Sequence, residues 1–282
     1  MRDKFIYRNG VVTEDGKVDL EERGFQFGDG IYEVIEVREG KLLFFAQHFA
    51  RLKRSCAAIQ IEHGLQEETF KAQLKELLTK NSCDDGMVYI QLTRGTYPRD
   101  HAFPQPSGAP GVYAYTVQKD FANMWSLPAT AVLADDIRWL RCDIKSLNLL
   151  GSVLAKQKAA EAGADEAILH REGIVTEGSS TNVFIVKNGY LQTHPASHLI
   201  LSGVTRSLVL KIAADEGIPV LEKAFTTEEL FSADEVFFTA TTQRIRPILS
   251  IDGTTISTEP GPVTEVLQKG MQTLLQKELQ ER

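Results

Sequence analysis

Lys145 stands in the stretch Asp143-Ile144-Lys145-Ser146-Leu147-Asn148-Leu149-Leu150, with apolar residues on both sides. A lysine in that setting must snorkel to water, find a counter-charge or give up its proton. An amine that gives up its proton is a nucleophile, able to form a Schiff base with a carbonyl. An isolated lysine is most often a solvated charge, so the case rests on the groups the rest of the chain supplies. Glu177, in Val175-Thr176-Glu177-Gly178-Ser179-Ser180-Thr181-Asn182, is a carboxylate at a strand end before a loop of small residues. It is suited to hold a protonated ring nitrogen. Leu201-Ser202-Gly203-Val204-Thr205-Arg206 leads into a helix whose first amides, at Val204 and Thr205, would bind phosphate together with the Thr205 hydroxyl. Thr239-Ala240-Thr241-Thr242 is a second hydroxyl-rich loop, and Arg51 is a cation for the same anion. Arg99 and His101 share a proline-rich loop. Arginine grips a carboxylate through two parallel hydrogen bonds, and an imidazole beside it adds a donor.

Each group also has a plainer reading. Glu177 alone is an exposed loop acid, Thr205 an N-cap, Thr241 part of an ordinary turn, and Arg51 and Arg99 solvated charges. Together they match the four needs of a pyridoxal phosphate enzyme: a Schiff-base lysine, a partner for the pyridine nitrogen, an anion cradle and a carboxylate clamp.

The totals bound the alternatives. With 282 residues, 43% hydrophobic and 24% charged, the chain has the composition of a soluble protein of one large or two ordinary domains. A net charge of −7 argues against nucleic acid or an anionic membrane as partner. No apolar run is long enough to span a bilayer, and Met1-Arg2-Asp3-Lys4-Phe5 has no apolar signal core, so a cytoplasmic location is expected. Cys56, Cys83 and Cys142 form no Cys-x-x-Cys pair and read as reduced, packed thiols. The histidines include no His-Glu-x-x-His pattern, and no metal is expected.

The elements that must position these groups begin with a hairpin, Phe5-Ile6-Tyr7 and Val11-Val12 about the turn Asn9-Gly10. Arg23-Gly24-Phe25-Gln26-Phe27-Gly28-Asp29-Gly30 reads as a tight loop or bulge whose backbone lies close to something. A dinucleotide fingerprint would need a helix next, but Ile31 to Val37 is β-like, with Lys41 to Phe44 as its partner. Phe49, Leu52, Cys56 and Ile59 mark one helix, and Phe70, Leu74, Leu77 and Leu78 a second over about 67–80. Both stripes read as core. Strands follow at 87–93 and 111–117. The segment 118–128 lacks periodicity and reads as a linker. Helices are expected at about 149–162, 205–216 and from Pro262 onward, with strands at 166–170, 174–176, 183–186, 190–193, 235–239 and 247–251. Runs of neighbouring strands with helices set apart imply an α+β chain of mostly antiparallel sheets. The expected domains are 1–117 and 129–282, with a cofactor between them.

Four pieces are specific enough to identify a family. They are Phe25-Gln26-Phe27-Gly28-Asp29-Gly30-Ile31-Tyr32-Glu33, Thr93-Arg94-Gly95-Thr96 with Pro98-Arg99-Asp100-His101, the run from Asp136 to Leu150, and Val175-Thr176-Glu177-Gly178-Ser179-Ser180. Over nearly its whole length the chain resembles the D-amino-acid aminotransferases of fold type IV. The resemblance implies that Lys145 carries pyridoxal 5'-phosphate as a Schiff base and shuttles the α-proton. It implies Glu177 at the pyridine nitrogen, Arg51, Val204, Thr205 and Thr241 around the phosphate, and Leu201 packed on the ring. It further implies that Tyr32, with Arg99 and His101 from the neighbouring subunit of a homodimer, traps the substrate carboxylate, that Ser180 and Thr181 line the substrate side, and that Glu166 supports the lysine region. The implied reaction is ping-pong transamination of D-alanine, D-glutamate or D-aspartate with pyruvate or 2-oxoglutarate. Two other activities use the same scaffold: branched-chain L-amino-acid transamination, against which the Arg99-x-His101 pair argues, and aminodeoxychorismate lysis. One departure stands out. The family often has serine where this chain has Ala240, which removes a hydroxyl from the phosphate site.

Overall fold

The computed structural model describes residues 1–121, 124 and 127–280. It divides into two compact units. The first comprises Met1–Asp120, Ile144–Asn148 and the chain end from Glu278; the second comprises Phe121–Asp143 and Leu149–Lys277. Of the stretch 118–128 expected as a linker, residues 122, 123, 125 and 126 lie outside the described residues, and Gln118 ends a strand.

The first unit is a six-stranded antiparallel sheet. Asn9 and Gly10, both at positive φ, turn β1 (Ile6–Arg8) into β2 (Val11–Thr13), as the Asn-Gly pair requires. With β3 (Gly30–Arg38), β4 (Lys41–Leu42), β5 (Gly86–Thr93) and β6 (Gly111–Gln118) the order is β2-β1-β6-β5-β3-β4. The segment Arg23–Gly30 differs from the expected loop: Arg23–Phe27 forms one helical turn, α1. The Glu22 carboxylate accepts the Gly24 N–H at its start, and Gly28, at φ 65°, closes it. So short a helix has no hydrophobic period to read. The two expected apolar stripes lie on α2 (Phe45–Ala58) and α3 (Glu67–Asn81), and Leu52, Phe70, Leu74 and Leu77 join Ile31, Ile35, Val88 and Leu92 in one core. Each such fully buried side chain contributes about 1.5–3 kcal/mol.

In the second unit the strands are β7 (Ala129–Asp135), β8 (Glu166–Arg171), β9 (Ile174–Gly178), β10 (Asn182–Lys187), β11 (Tyr190–Thr193), β12 (Val220–Glu222), β13 (Glu235–Ala240), β14 (Arg244–Ile251) and β15 (Thr254–Thr255). Their order is β12-β11-β10-β13-β14-β7-β8-β9, with β15 on β14. Most neighbours are antiparallel, but β7 runs parallel to both β8 and β14, and β11 parallel to β12. Helices α4 (Leu150–Glu161), α5 (Val204–Asp215), α6 (Thr227–Phe231) and α7 (Pro262–Gln280) complete the set. The α+β class therefore stands. No described helix is long and apolar enough to cross a membrane.

Candidate active site

Lys145 sits on a short strap, 144–148, laid along the start of β3. The strap is held by backbone bonds: Tyr32 N–H donates to the Lys145 carbonyl (2.9 Å), Leu147 N–H to the Gly30 carbonyl (3.0 Å), and Ser146 bridges Ile31. The Lys145 N–H donates to Ser55 Oγ on α2 at 3.3 Å. Ile144 is buried in the core of the first unit. A Cβ on Gly30 would lie 2.5 Å from the Leu92 carbonyl oxygen and 2.9 Å from Leu147 Cδ1, so the close approach needs glycine there. The backbone contact expected at the glycine-rich segment is thus partly this strap. The crowding of Lys145 by its sequence neighbours is only partly realised: Ile144 and Leu147 pack, whereas Leu150 is exposed at the head of α4. Lys145 Nζ lies 4.0 Å from the centroid of the Tyr32 ring, itself stacked on Tyr89.

The buried face of α2 presents His48, Arg51 and Ser55 beside its apolar stripe. Arg51 Nε and Nη2 each donate to Glu33, at 2.7 Å to Oε1 and 2.7 Å to Oε2. His48 Nδ1 lies 2.8 Å from Glu33 Oε2; a carboxylate can only accept, so Nδ1 carries the proton. Burial pushes the Glu33 carboxyl up, but the Arg51 charge and hydrogen bonds outweigh it and hold Glu33 well below the usual range. Burial also pushes the His48 imidazole down. Arg51 is therefore a fixed cation whose aim Glu33 sets, and Nη1 is the nitrogen that Glu33 does not hold. Glu33, next to the expected Tyr32, is not legible as a site residue in the sequence, where nothing local signals its partner eighteen residues on.

Arg99 and His101 are exposed, and both stand beside one ring: the Arg99 guanidinium is 4.9 Å and the His101 ring 5.3 Å from the Phe27 centroid. Asp29 anchors their loop. It accepts from Arg23 Nε (2.8 Å) and takes Arg94 Nε and Nη2 (2.8 and 3.0 Å), while Arg23 Nη1 donates to the Asp100 carbonyl at 2.5 Å. The Arg94 guanidinium also covers Phe103 at 3.6 Å.

In the second unit Glu177, at the end of β9, is 4% exposed. Its Oε2 accepts the Asn182 amide (2.9 Å) and the Leu201 N–H (3.0 Å), and its Oε1 accepts Arg138 Nη1 in a short contact. Burial pushes the Glu177 carboxyl up to about 7, against the opposing charge and hydrogen bond of Arg138 and the Leu201 N–H. Arg138 is itself gripped by Asp136, through Nε to Oδ1 and Nη2 to Oδ2, both 2.9 Å. Asp136 also accepts from Arg171 Nε (3.1 Å) and the Thr176 hydroxyl (2.9 Å). Although burial pushes Asp136 up, the hydrogen bonds and charge of Arg138, with those of Arg171 and Thr176, win and bring it to about 2.

Asn182 is the hinge pin of this half. Its amide bonds both Glu177 and the Leu201 carbonyl (2.8 Å), and its oxygen would lie 2.3 Å from a Cβ on Gly203, which precedes α5. Glu177, Leu201, Val204 and Thr205 are so brought together. No side chain caps α5, so its first amides are available to an anion. Thr241 follows β13, whose Thr239 is paired with Asn182. Ser180 is exposed and Thr181 buried in the turn after β9, a turn held by Glu166, which accepts the Ser179 hydroxyl and the Ala167 N–H (2.8 Å). Among the described residues, Thr181 Oγ1, Thr239 Oγ1 and Glu166 Oε2 are buried without a partner. No three His, Cys, Asp or Glu side chains among the described residues gather as a metal site.

The Asp136 network carries a stability consequence. Asp136 has a folded-state pKa below that of the unfolded chain, so its contribution is complete above about pH 4 and is lost as pH falls toward 2. Asp136→Asn should cost on the order of 2 kcal/mol at pH 7. Denaturant unfolding curves of the two proteins should converge as the pH is lowered through that window; a gap independent of pH would refute this account.

Residues 30–251 match the family model described as amino-transferase class IV. The chain is 49% identical over 272 residues to a D-alanine aminotransferase of Bacillus licheniformis, covering 94% of each chain. Among solved structures it is similar to the Escherichia coli branched-chain amino acid aminotransferase, with TM-score 0.91 at 24% identity over 98% of this chain and 96% of that one. It is also similar to the T.th. branched-chain amino acid aminotransferase complexed with N-(5'-phosphopyridoxyl)-L-glutamate, with TM-score 0.89 at 25% identity over 98% and 96%.

Proposed function

Because the chain belongs to the class IV aminotransferases, of fold type IV, we propose that it moves the amino group of D-amino acids to 2-oxo acids with pyridoxal 5'-phosphate as cofactor. The observation that carries this reading is the 49% identity, over 94% of both chains, to a D-alanine aminotransferase. The residues fit the cofactor. Uncapped amides at Val204 and Thr205 and the hydroxyls of Thr205 and Thr241 match a phosphate, as does the fixed cation of Arg51. Glu177 matches a protonated ring nitrogen, and Leu201, whose N–H meets Glu177, lies at hand to pack on the ring.

When bound, the cofactor supplies an aldehyde for the amine and a ring that takes up the electron pair of the α-carbon. The chain supplies the rest. Lys145 Nζ would hold the cofactor's aldehyde carbon and, once freed, would take the substrate's α-proton and later return a proton. Glu177 keeps the ring nitrogen positive. Tyr32 with Arg99 and His101 fixes the substrate carboxylate, which decides the face on which the side chain lies, and Ser180 and Thr181 bound the substrate side. The donor product leaves before the acceptor enters, so the kinetics are ping-pong.

The active form is a homodimer in which Arg99 and His101 serve the partner's site. Their exposure in a single subunit supports this, as does an uncovered apolar patch. Leu150, Val153 and Leu154 on α4, with Ile137 and Leu140, are each more than half exposed, an unusual surface for a lone subunit.

A chiral assay tests the activity. Purified protein should consume D-alanine with 2-oxoglutarate, release pyruvate and leave L-leucine untouched. Consumption of L-leucine instead would favour the branched-chain activity. Pyruvate formed from aminodeoxychorismate without an amino acceptor would favour the lyase. At the phosphate, Ala240→Ser should restore one hydroxyl donor, about 1 kcal/mol of cofactor retention. Cofactor dissociation should slow about fivefold, and equal rates for the two proteins would refute the effect.

A further inference from the structure

Glu177 holds more partners than a ring-nitrogen contact requires, and their arrangement is directional. An ionised carboxylate offers about four acceptor positions. Both bonds to Oε2 come from neutral donors, the Asn182 amide and the Leu201 N–H. Oε1 takes the Arg138 guanidinium, and one lone pair remains there. Arg138 has little freedom to move. Asp136 takes its backbone N–H (3.1 Å), Nε and Nη2, the Leu199 carbonyl accepts Nη2 at 3.3 Å, and the Arg138 carbonyl accepts Arg171 Nη2 at 3.0 Å.

We propose that Arg138, locked by Asp136, is the positioning residue that presents Oε1 of Glu177 to the cofactor's ring nitrogen and favours the charged form of that carboxylate against its burial. The proposal deepens the reading of Glu177 given above and rests on it. Its physical basis is a conflict within the site. A nearly water-free carboxylate favours its neutral form, and a neutral Glu177 could not hold the ring nitrogen positive. Within the second unit, the charged or titratable groups described as facing it are Arg138, Asp136 and Cys142. Asp136 opposes ionisation of Glu177, and burial holds the Cys142 thiol up at about 11, so it is neutral. The cation that favours the charged form is Arg138. Asp136 thus has two effects of opposite sign, a direct repulsion and the fixing of Arg138, and the closer contact of Arg138 with Glu177 prevails.

The experiment compares four holoenzymes, Arg138→Met, Arg138→Lys, Glu177→Gln and the Arg138→Met/Glu177→Gln double variant. It reads the pH dependence of the bound cofactor's absorbance, cofactor retention on dialysis, and kcat and KM for the amino donor. Arg138→Met should move the pH midpoint of the absorbance down by at least about one unit, because a neutral Glu177 no longer holds the ring proton. It should lower kcat about tenfold or more, with KM within about twofold. Arg138→Lys keeps the cation and should preserve the midpoint even where stability falls, and it carries the test alone if the methionine variant does not fold. In the Glu177→Gln background, Arg138→Met should have no additional effect on the midpoint. A shift in Glu177→Gln with none in Arg138→Met overturns the proposal alone. No shift in either overturns the reading of Glu177 and the proposal with it. Equal shifts in the lysine and methionine variants also overturn it, since they would assign Arg138 a merely structural part.

Discussion

Lys145→Ala is expected to abolish transamination, by a factor of about 10⁴ or more, because one amine serves as anchor, base and acid. The same variant should lose the absorption band of covalently held cofactor while still binding the cofactor through its phosphate contacts. It should also fold. The strap is held by the Lys145 carbonyl and N–H, by Leu147 and by buried Ile144, none of which the substitution removes. The side chain is half-buried against Tyr32, and its loss there should cost about 1 kcal/mol or less. Turnover with D-alanine and an absorbance spectrum would decide the matter. Residual activity near the starting level, or an unchanged band in the variant, would remove Lys145 from the chemistry.

The second large effect belongs to Arg99. Arg99→Leu should reduce kcat/KM for amino acids by about 10²–10³, the loss expected when a two-pronged ionic grip on a carboxylate disappears. Cofactor retention should be unchanged. Arg99 is exposed beside Phe27, so stability should move by no more than about 0.5 kcal/mol. An amine substrate without a carboxylate should barely notice the change. Mixing subunits tests whether the grip crosses between protomers. In a heterodimer of Lys145→Ala and Arg99→Leu subunits, a shared arrangement leaves one site with both residues intact, and an unshared arrangement leaves none. Co-refolded equal amounts of the two dead variants should therefore regain about a quarter of normal activity. No recovery, with heterodimers demonstrably formed, would place Arg99 in its own subunit's site.

Asp29 gives the Arg99 loop its frame, and its position shows how far local pattern carries. Its neighbours Phe27, Gly28 and Gly30 are conspicuous in the chain. Yet the two arginines that share Asp29, Arg23 and Arg94, are separated by most of the first unit's sequence. The helix stripes Phe70-Leu74-Leu77-Leu78 and Phe49-Leu52-Cys56 were legible because a core face repeats at the helical period. β7 carries no such signal: its alternation rests on small alanines at 129, 131 and 134, and its parallel pairing with β8 and β14 depends on distant partners. Nor does α1, since a five-residue helix with a glycine inside holds no full repeat.

For the site, residue chemistry and motif spacing were enough to nominate Lys145, Glu177, the Val204–Thr205 amides and the Arg99-x-His101 pair. Those are groups whose type alone limits what they can do. What only the tertiary structure decided is who stands beside them: Glu33 fastening Arg51, Asn182 tying Glu177 to the turn before α5, and Arg138, thirty-nine residues from Glu177, set against its carboxylate. The reason is that a side chain's identity fixes its capacity to bond, whereas its charge state and aim depend on burial and on partners brought close by folding.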